Sequence, residues 1–237
     1  MYKILLLGLL VVAGISLAGC ATRGGVIDEM VGWWKFDESS GTVAKDSSGK
    51  SVDCVLAGGA TFDSAGKIGG CLSFNGVDGN AFIDGNFDLP VYTIALWYQV
   101  PANVPKRMDL VSAYAPGVMH GILLELNLDG TFRYLHRFPL GQSGGQNINT
   151  EEAYNDGEWH HVAMVKDPEN ITLYVDGEPV ASAEETSTSP DDTFGVSLGC
   201  LDNERSLDRL LEGQLDDLRI YNAALSQDDI KAIKDFK

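Results

Sequence analysis

The chain has 237 residues and sets 34 Asp and Glu against 17 Lys and Arg, a formal net charge of -17. With 22% charged residues, 44% hydrophobic residues and a mean hydropathy of -0.04, it is neither a disordered chain nor a polytopic membrane protein. So acidic a surface repels phosphate backbones, which argues against nucleic acid as a partner, and it suits carboxylates gathered around a hard cation.

In chain order, Lys3 precedes an apolar run over 4–17. At ~1.5 Å per residue the run falls short of a ~30 Å bilayer core, so it reads as a secretory signal. It ends in Leu17-Ala18-Gly19-Cys20, which closely resembles the lipobox of bacterial lipoproteins. The resemblance implies cleavage after Gly19, a signal peptide over 1–19, and lipidation of Cys20. Several acyl chains hold a protein stably in a leaflet. That family marks inner-membrane retention with Asp after the lipidated Cys; Ala21 stands here, which implies the outer membrane. Residues 20–30 form a tether of at most ~35 Å. The expected localisation is therefore the bacterial cell envelope, lipid-anchored, with one domain over 31–237.

Beyond the tether, short apolar runs with a period of two are separated by Gly, Asp and Ser. They predict strands over 31–36, 52–57, 71–74, 81–84, 92–100, 121–128, 131–137, 159–166, 171–176, 179–183, 196–200 and 214–221. Asp129-Gly130 and Asp176-Gly177 are hairpin turns. Stretches 141–152, 184–192 and 201–212 read as polar or charged loops. One helix is expected over 227–235, capped by Ser226, with Asp228 and Asp229 in its first turn. About thirteen antiparallel strands without intervening helices imply two stacked sheets, with Trp159 of the 159–166 strand between them. After Cys20 three cysteines remain. Cys54 and Cys71 lie on expected neighbouring strands, where a disulfide is possible; all three could equally be small core residues.

Three segments carry a family resemblance: Asp156-Gly157-Glu158-Trp159-His160-His161-Val162-Ala163 with Leu173-Tyr174-Val175-Asp176-Gly177, then Phe74-Asn75-Gly76-Val77-Asp78, then the stretch from Gly213 to Asn222. Together they resemble the laminin G-like, concanavalin A-like superfamily. This implies an all-β antiparallel sandwich, a jelly roll with a short C-terminal helix, over 31–236. The fold carries lectins, glycanases and adhesion modules, so function needs a site.

The residues define four expectations about that site. Adjacent His160 and His161 point to opposite strand faces and serve structure rather than one metal. Glycanases of this fold use Glu-x-Asp-x-x-Glu; Glu125 lacks its Asp, and the other Glu positions fail as well, so the domain is expected to be non-catalytic. In related glucanases an Asp at the place of Asp216 binds structural calcium; carried over, that recruits Asp37 and Asn75 or Gly76, with Asp46 and Asp78 as further candidates. Those side chains could instead hold turns. Finally, Tyr134 and His136, with Tyr114 nearby, could form a sugar platform; Arg133 and Arg137 face the other way, and Arg137 is the third candidate ligand-binding residue. Phe132 and Tyr134 could also simply fill the core. The expected function is a surface lipoprotein with a binding or adhesion domain for glycans, or else a structural or protein-interaction module of the envelope, with a divergent glycoside hydrolase as the third reading.

Overall fold

The computed structural model describes residues 26, 28–114, 121–138, 145–186, 193–201 and 209–236. The signal, the lipobox Cys20 and most of the tether lie outside these residues. Sixteen strands and one helix are described, and the strands form two eight-stranded sheets. The first sheet runs β14 (Glu178–Glu184), β13 (Asn170–Val175), β12 (Trp159–Lys166), β7 (Tyr92–Gln99), β16 (Glu212–Tyr221), β5 (Cys71–Asn75) and β4 (Thr61–Asp63), and β1 (Met30–Trp34) pairs with β16. The second runs β11 (Gln146–Ala153), β10 (Thr131–His136), β9 (Ile122–Leu126), β8 (Met108–Tyr114), β15 (Phe194–Leu198), β6 (Asn80–Phe87), β3 (Cys54–Ala57) and β2 (Val43–Ala44). The architecture is the expected antiparallel sandwich.

Alternation builds the core. From β7, Ile94, Leu96 and Tyr98 turn inward; from β12, Val162 and Met164; from β10, Phe132 and Tyr134. They interdigitate with Trp34, Ile83 and Val196 in one buried cluster. Fully burying each large apolar side chain is worth about 1.5–3 kcal/mol. The outward side of the first sheet is apolar too, at Ala95, Ala163 and Val165, and helix α1 (Gln227–Lys234) covers it with Ile230 and Ile233. Ser226 caps α1 in a capping box with Asp229, and Lys231 and Lys234 close the last turn, where the dipole favours cations. Among the described residues no helix is long and apolar enough to cross a membrane.

The Asp176-Gly177 turn joins β13 to β14 with φ of 51° and 85°. Both values are positive, as a two-residue type I′ hairpin needs. Three sequence expectations change. The 141–152 stretch, read as loop, contains most of β11, an edge strand that buries only Ile148 and Thr150. Trp159 is only half-buried, because it opens β12 at the sandwich rim. Cys54 and Cys71 do not form the anticipated disulfide; both are buried thiols. Cys54 sits on β3 of the second sheet and faces the core, whereas Cys71 opens β5 of the first sheet and lies outside that core cluster. Stacked sheets lie about 10 Å apart, whereas a disulfide needs Cα atoms within about 7 Å.

Candidate functional site

The expected sugar platform is interior. Tyr134 and His136 are buried, since the β10 alternation that groups them with Phe132 points all three inward. The Tyr134 and Tyr92 hydroxyls lie 2.8 Å apart, Tyr92 Oη reaches His136 Nδ1 at 2.8 Å, and His136 Nε2 meets Glu185 Oε2 at 2.9 Å. This polar chain bridges strands inside the sandwich and offers no surface to a sugar. Arg137 is half-buried just beyond β10, so the three residues are not one exposed face. The side chain of Tyr114 lies outside the described residues. The adjacent histidines diverge, as their alternation requires. His160 is clamped by Asp176 at 2.7 Å and Asp156 at 3.0 Å, and these hydrogen bonds raise its pKa to about 9. His161 packs on Trp97, and burial lowers its pKa to about 3.

Asp216 and Asp37 converge on the 66–70 loop. Asp216 Oδ2 accepts the Ile68 N–H at 2.8 Å, and Asp37 Oδ1 accepts the Gly70 N–H at 2.8 Å. Asp216 Oδ1 is buried without a hydrogen bond. Burial, together with the charges of Asp217 and Asp37, raises the Asp216 pKa to about 7. The backbone presses close here. A Cβ on Gly70 would meet the Phe36 carbonyl at 2.7 Å and the Asp63 carbonyl at 3.2 Å, and one on Gly69 would meet Asp37 Oδ1 at 2.2 Å. Two carboxylates, one of them with an orphaned buried oxygen, are hard oxygen donors of the kind a cation such as calcium takes. Among the described residues no three His, Cys, Asp or Glu side chains gather for a metal, so carbonyls and water would complete the ligand set. The ion would supply charge balance and loop order.

Asn75 is not part of this group. It lies opposite Glu212, four residues along β16 from Asp216. Its Oδ1 accepts the N–H groups of Val77, Asp78 and Gly79, and its Nδ2 donates to Asp78. Its carbonyl oxygen is spent on a turn, as are the Asp78 and Asp46 carboxylates; Asp46 accepts from Trp33, Ser48, Lys50 and Ser51.

Beside the Asp37 and Asp216 carboxylates, on the outer face of the first sheet, a groove of about 400 Å³ opens between β1, β16 and α1. Trp33, Tyr221 and Phe236 form its aromatic wall, with Ser48, Lys50 and Asp229 among the polar groups. The β1–β16 register places Trp33 opposite Arg219. Asp217 locks the wall: its Oδ1 accepts the Trp33 indole N–H at 2.6 Å, and its Oδ2 pairs with Arg219 at 2.7 Å. Arg219 also donates to the Ile233 carbonyl in the last turn of α1 at 3.2 Å. Strand and helix end are thus fixed by one buried ion pair, and burial still pushes the Asp217 carboxyl up despite the guanidinium. Phe236 meets Trp33 edge-on at 6.2 Å and is 44% exposed. It also lines a second hollow with Lys67, Ile68, Gly69 and Trp97. These loop residues neighbour the Asp37 and Asp216 carboxylates, so a bound cation would stiffen a wall of the site. The sequence reading missed Trp33, Phe236 and Arg219; the only signal was an outward tryptophan beside the inward Trp34.

Two carboxylates do meet in space without a motif. Asp109 on β8 lies opposite Glu125 on β9, and both are 0% exposed. Burial, with Glu125 adding like charge, raises the Asp109 pKa to about 8. Glu125 is ion-paired to Arg209, to Arg107 at 3.2 Å and to Arg133 at 3.6 Å. An acid–base pair must reach the substrate within hydrogen-bond distance; here guanidinium groups occupy that position.

Comparison with known proteins places this geometry. Residues 74–231 match the model of a family described as the concanavalin A-like lectin/glucanases superfamily. Domain 4 of AbnA, a GH43 extracellular arabinanase from Geobacillus stearothermophilus solved in complex with arabinotriose, is 18% identical with a TM-score of 0.65, over 86% of this chain and 98% of that one. Trypanosoma rangeli sialidase in complex with sialic acid is 18% identical with a TM-score of 0.65, over 87% of this chain but only 32% of the sialidase. The binding domain of botulinum neurotoxin serotype D/C is 12% identical with a TM-score of 0.67, over 88% of this chain and 52% of that domain.

Proposed function

The chain belongs to the concanavalin A-like lectin/glucanases superfamily, and from that premise we propose that it is a lipid-anchored envelope protein whose sandwich is a non-catalytic glycan-binding module. The observation that carries the reading is the groove of about 400 Å³ walled by Trp33 and the exposed Phe236 and flanked by polar side chains. Sugars present apolar C–H faces and hydroxyl edges, and a groove with aromatic walls and a few convergent polar groups meets both. A protein-docking surface would be flatter and more continuously apolar. The arabinotriose complex of a similar domain supports a saccharide ligand. A structural calcium at Asp37 and Asp216 orders the loop beside the groove. The sealing of Asp109 and Glu125 supports binding rather than hydrolysis. Cys20, ten residues before β1, holds the groove within about 35 Å of the leaflet.

The test is a glycan array probed with the fragment from residue 24 onward, wild type and Trp33→Ala. Saccharide binding that falls at least tenfold in Trp33→Ala is expected. A folded wild type that binds no glycan, but pulls down an envelope protein, overturns the reading in favour of a protein-interaction module. Release of reducing sugar from any bound glycan overturns the non-catalytic part.

A further inference from the structure

On the outer face of the second sheet, away from the groove, three arginines stand over the two buried carboxylates. Arg133 projects from β10, Arg107 immediately precedes β8, and Arg209 lies shortly before β16. Their side chains are 24%, 50% and 19% exposed, whereas those of Asp109 and Glu125 are 0% exposed. The cations are therefore on top and the anions beneath. Even with both acids ionised the cluster carries one surplus positive charge, in a chain of net charge -17.

The donors outnumber the acceptors. Each guanidinium presents five N–H donors, and one carboxylate offers about four lone-pair positions. Arg107 and Arg133 approach the same Glu125 oxygen, at 3.2 and 3.6 Å, so the second contact is too long for a hydrogen bond. Arg133 is aimed by its Nε, which donates to Asn147 at 2.6 Å, and among the described residues its terminal nitrogens have only the long contact to Glu125. Arg209 adopts φ of 57°, uncommon for a residue with a side chain, and is held there by the Asp109 N–H bonding its carbonyl at 2.8 Å. The polar face continues along β8 to Ser112, opposite Ser197 on β15, two buried hydroxyls without hydrogen-bond partners.

We propose that Arg107, Arg133 and Arg209 form a second binding site, for an oxyanion, the carboxylate or sulfate of an acidic saccharide. Planar guanidinium forks grip such groups bidentately, which a lysine cluster does not. The buried carboxylates position the forks and keep the arginines from dispersing by mutual repulsion. Burial also raises the Asp109 pKa to about 8; near neutral pH this carboxyl holds its proton, which leaves Glu125 as the main internal counter-charge. The site does not depend on the glycan reading of the groove.

The test is calorimetry on the full chain in detergent with a glucuronate-containing oligosaccharide, a sulfated oligosaccharide, a neutral glucose oligosaccharide and inorganic sulfate. Binding of an acidic oligosaccharide is expected, weakened on the order of tenfold by Arg107→Ala, weakened less by Arg107→Lys, and unaffected by Trp33→Ala. Arg107 is half exposed, and an unchanged melting temperature confirms that its variants fold. Equal affinity for the neutral sugar, or unchanged acidic-sugar affinity in both Arg107→Ala and Arg133→Ala, overturns the oxyanion site while leaving the groove reading intact. Loss of acidic-sugar binding in Trp33→Ala alone moves the ligand to the groove and likewise overturns it. Inorganic sulfate binding as tightly as the oligosaccharides shows a free-anion site and overturns the saccharide part.

Discussion

Removing calcium should lower the melting temperature, and replacing Asp216 should abolish that effect. Asp216 is fully buried with one oxygen unpartnered, and its pKa rises from 3.8 to about 7. A carboxyl with a raised folded pKa contributes stability that is fully present below 3.8 and is lost as pH climbs through about 7. Without a counter-ion the loss above pH 7 is on the order of 4 kcal/mol. A cation that binds only the folded state offsets it by RT ln(1 + [L]/Kd), about 2.7 kcal/mol at a hundredfold excess over Kd. For a domain of this size each kcal/mol moves Tm by roughly 2–4 °C. At pH 8, chelator should therefore cost wild type several degrees, and calcium should restore them. Magnesium should restore less, because it demands octahedral geometry and sheds water reluctantly.

Asp216→Asn removes the buried charge and keeps an oxygen for the Ile68 N–H. In chelator at pH 8 it should melt above wild type, and calcium should narrow that gap by raising wild type alone. Differential scanning calorimetry across these four conditions, with elemental analysis of the purified protein, is the assay. A wild-type Tm that stays flat from chelator to millimolar calcium in metal-free protein refutes the site. Asp216→Asn melting below wild type in both conditions refutes the electrostatic reasoning, because the carboxylate would then be stabilising by itself.

Cys20→Ser should abolish incorporation of a fatty-acid probe and shift the protein out of the mature membrane fraction; undiminished labelling ends the lipoprotein reading. Trp34 is fully buried in the core, so Trp34→Ala should cost about 3–5 kcal/mol by urea denaturation, whereas the half-buried Trp159 should cost clearly less. His160, with its pKa raised from 6.5 to about 9 chiefly by Asp176, contributes stability fully present below pH 6.5 and lost as pH rises through 9. After solvent screening this is about 1–2 kcal/mol, so stability should fall between pH 6.5 and 9.5 in wild type and hardly change in His160→Gln; parallel profiles would show the clamp is inert.

Where alternation is uninterrupted, the strand can be read from the residues alone: β7 and β12 lie within a residue of the positions their periodicity predicts. β8 could not be read, because an irregularity between Asp109 and Val111 sets Leu110 and Val111 both against the core and breaks the period of two. The same irregularity leaves Asp109 outward, opposite Glu125. β11 was illegible for another reason: an edge strand needs to bury only one side, and Asn147, Asn149 and Glu151 read as loop. Asp216, Asp37 and Asn75 are grouped by family resemblance alone, and the structure sets Asn75 apart in a turn, because Asn and Asp serve turns and cations alike. What tells them apart is whether the oxygen is already occupied, which needs coordinates. Asp46 accepts several hydrogen bonds, whereas Asp216 keeps an orphaned oxygen.

The two sites differ in how their parts are held, and this follows from topology. Trp33 and Arg219 are distant in sequence but directly opposite in the β1–β16 pair, and α1, seated on the sheet by Ile230 and Ile233, is tied to the groove where Arg219 donates to the Ile233 carbonyl. Losing the Asp217–Arg219 ion pair would release the indole, the strand end and the helix end together, since breaking a buried pair leaves the remaining charge uncompensated. In the arginine cluster, Asp109, Glu125 and Arg133 occupy three successive strands of the second sheet in one cross-strand row. Its geometry is set by the ladder and not by any loop ion. Chelation should therefore soften the groove through the 66–70 loop and leave oxyanion binding unchanged. The core separates the two faces, and no described ion pair or hydrogen bond links Asp216 to the Glu125 cluster. A protein in which calcium removal weakened both sites equally would require coupling through global stability instead.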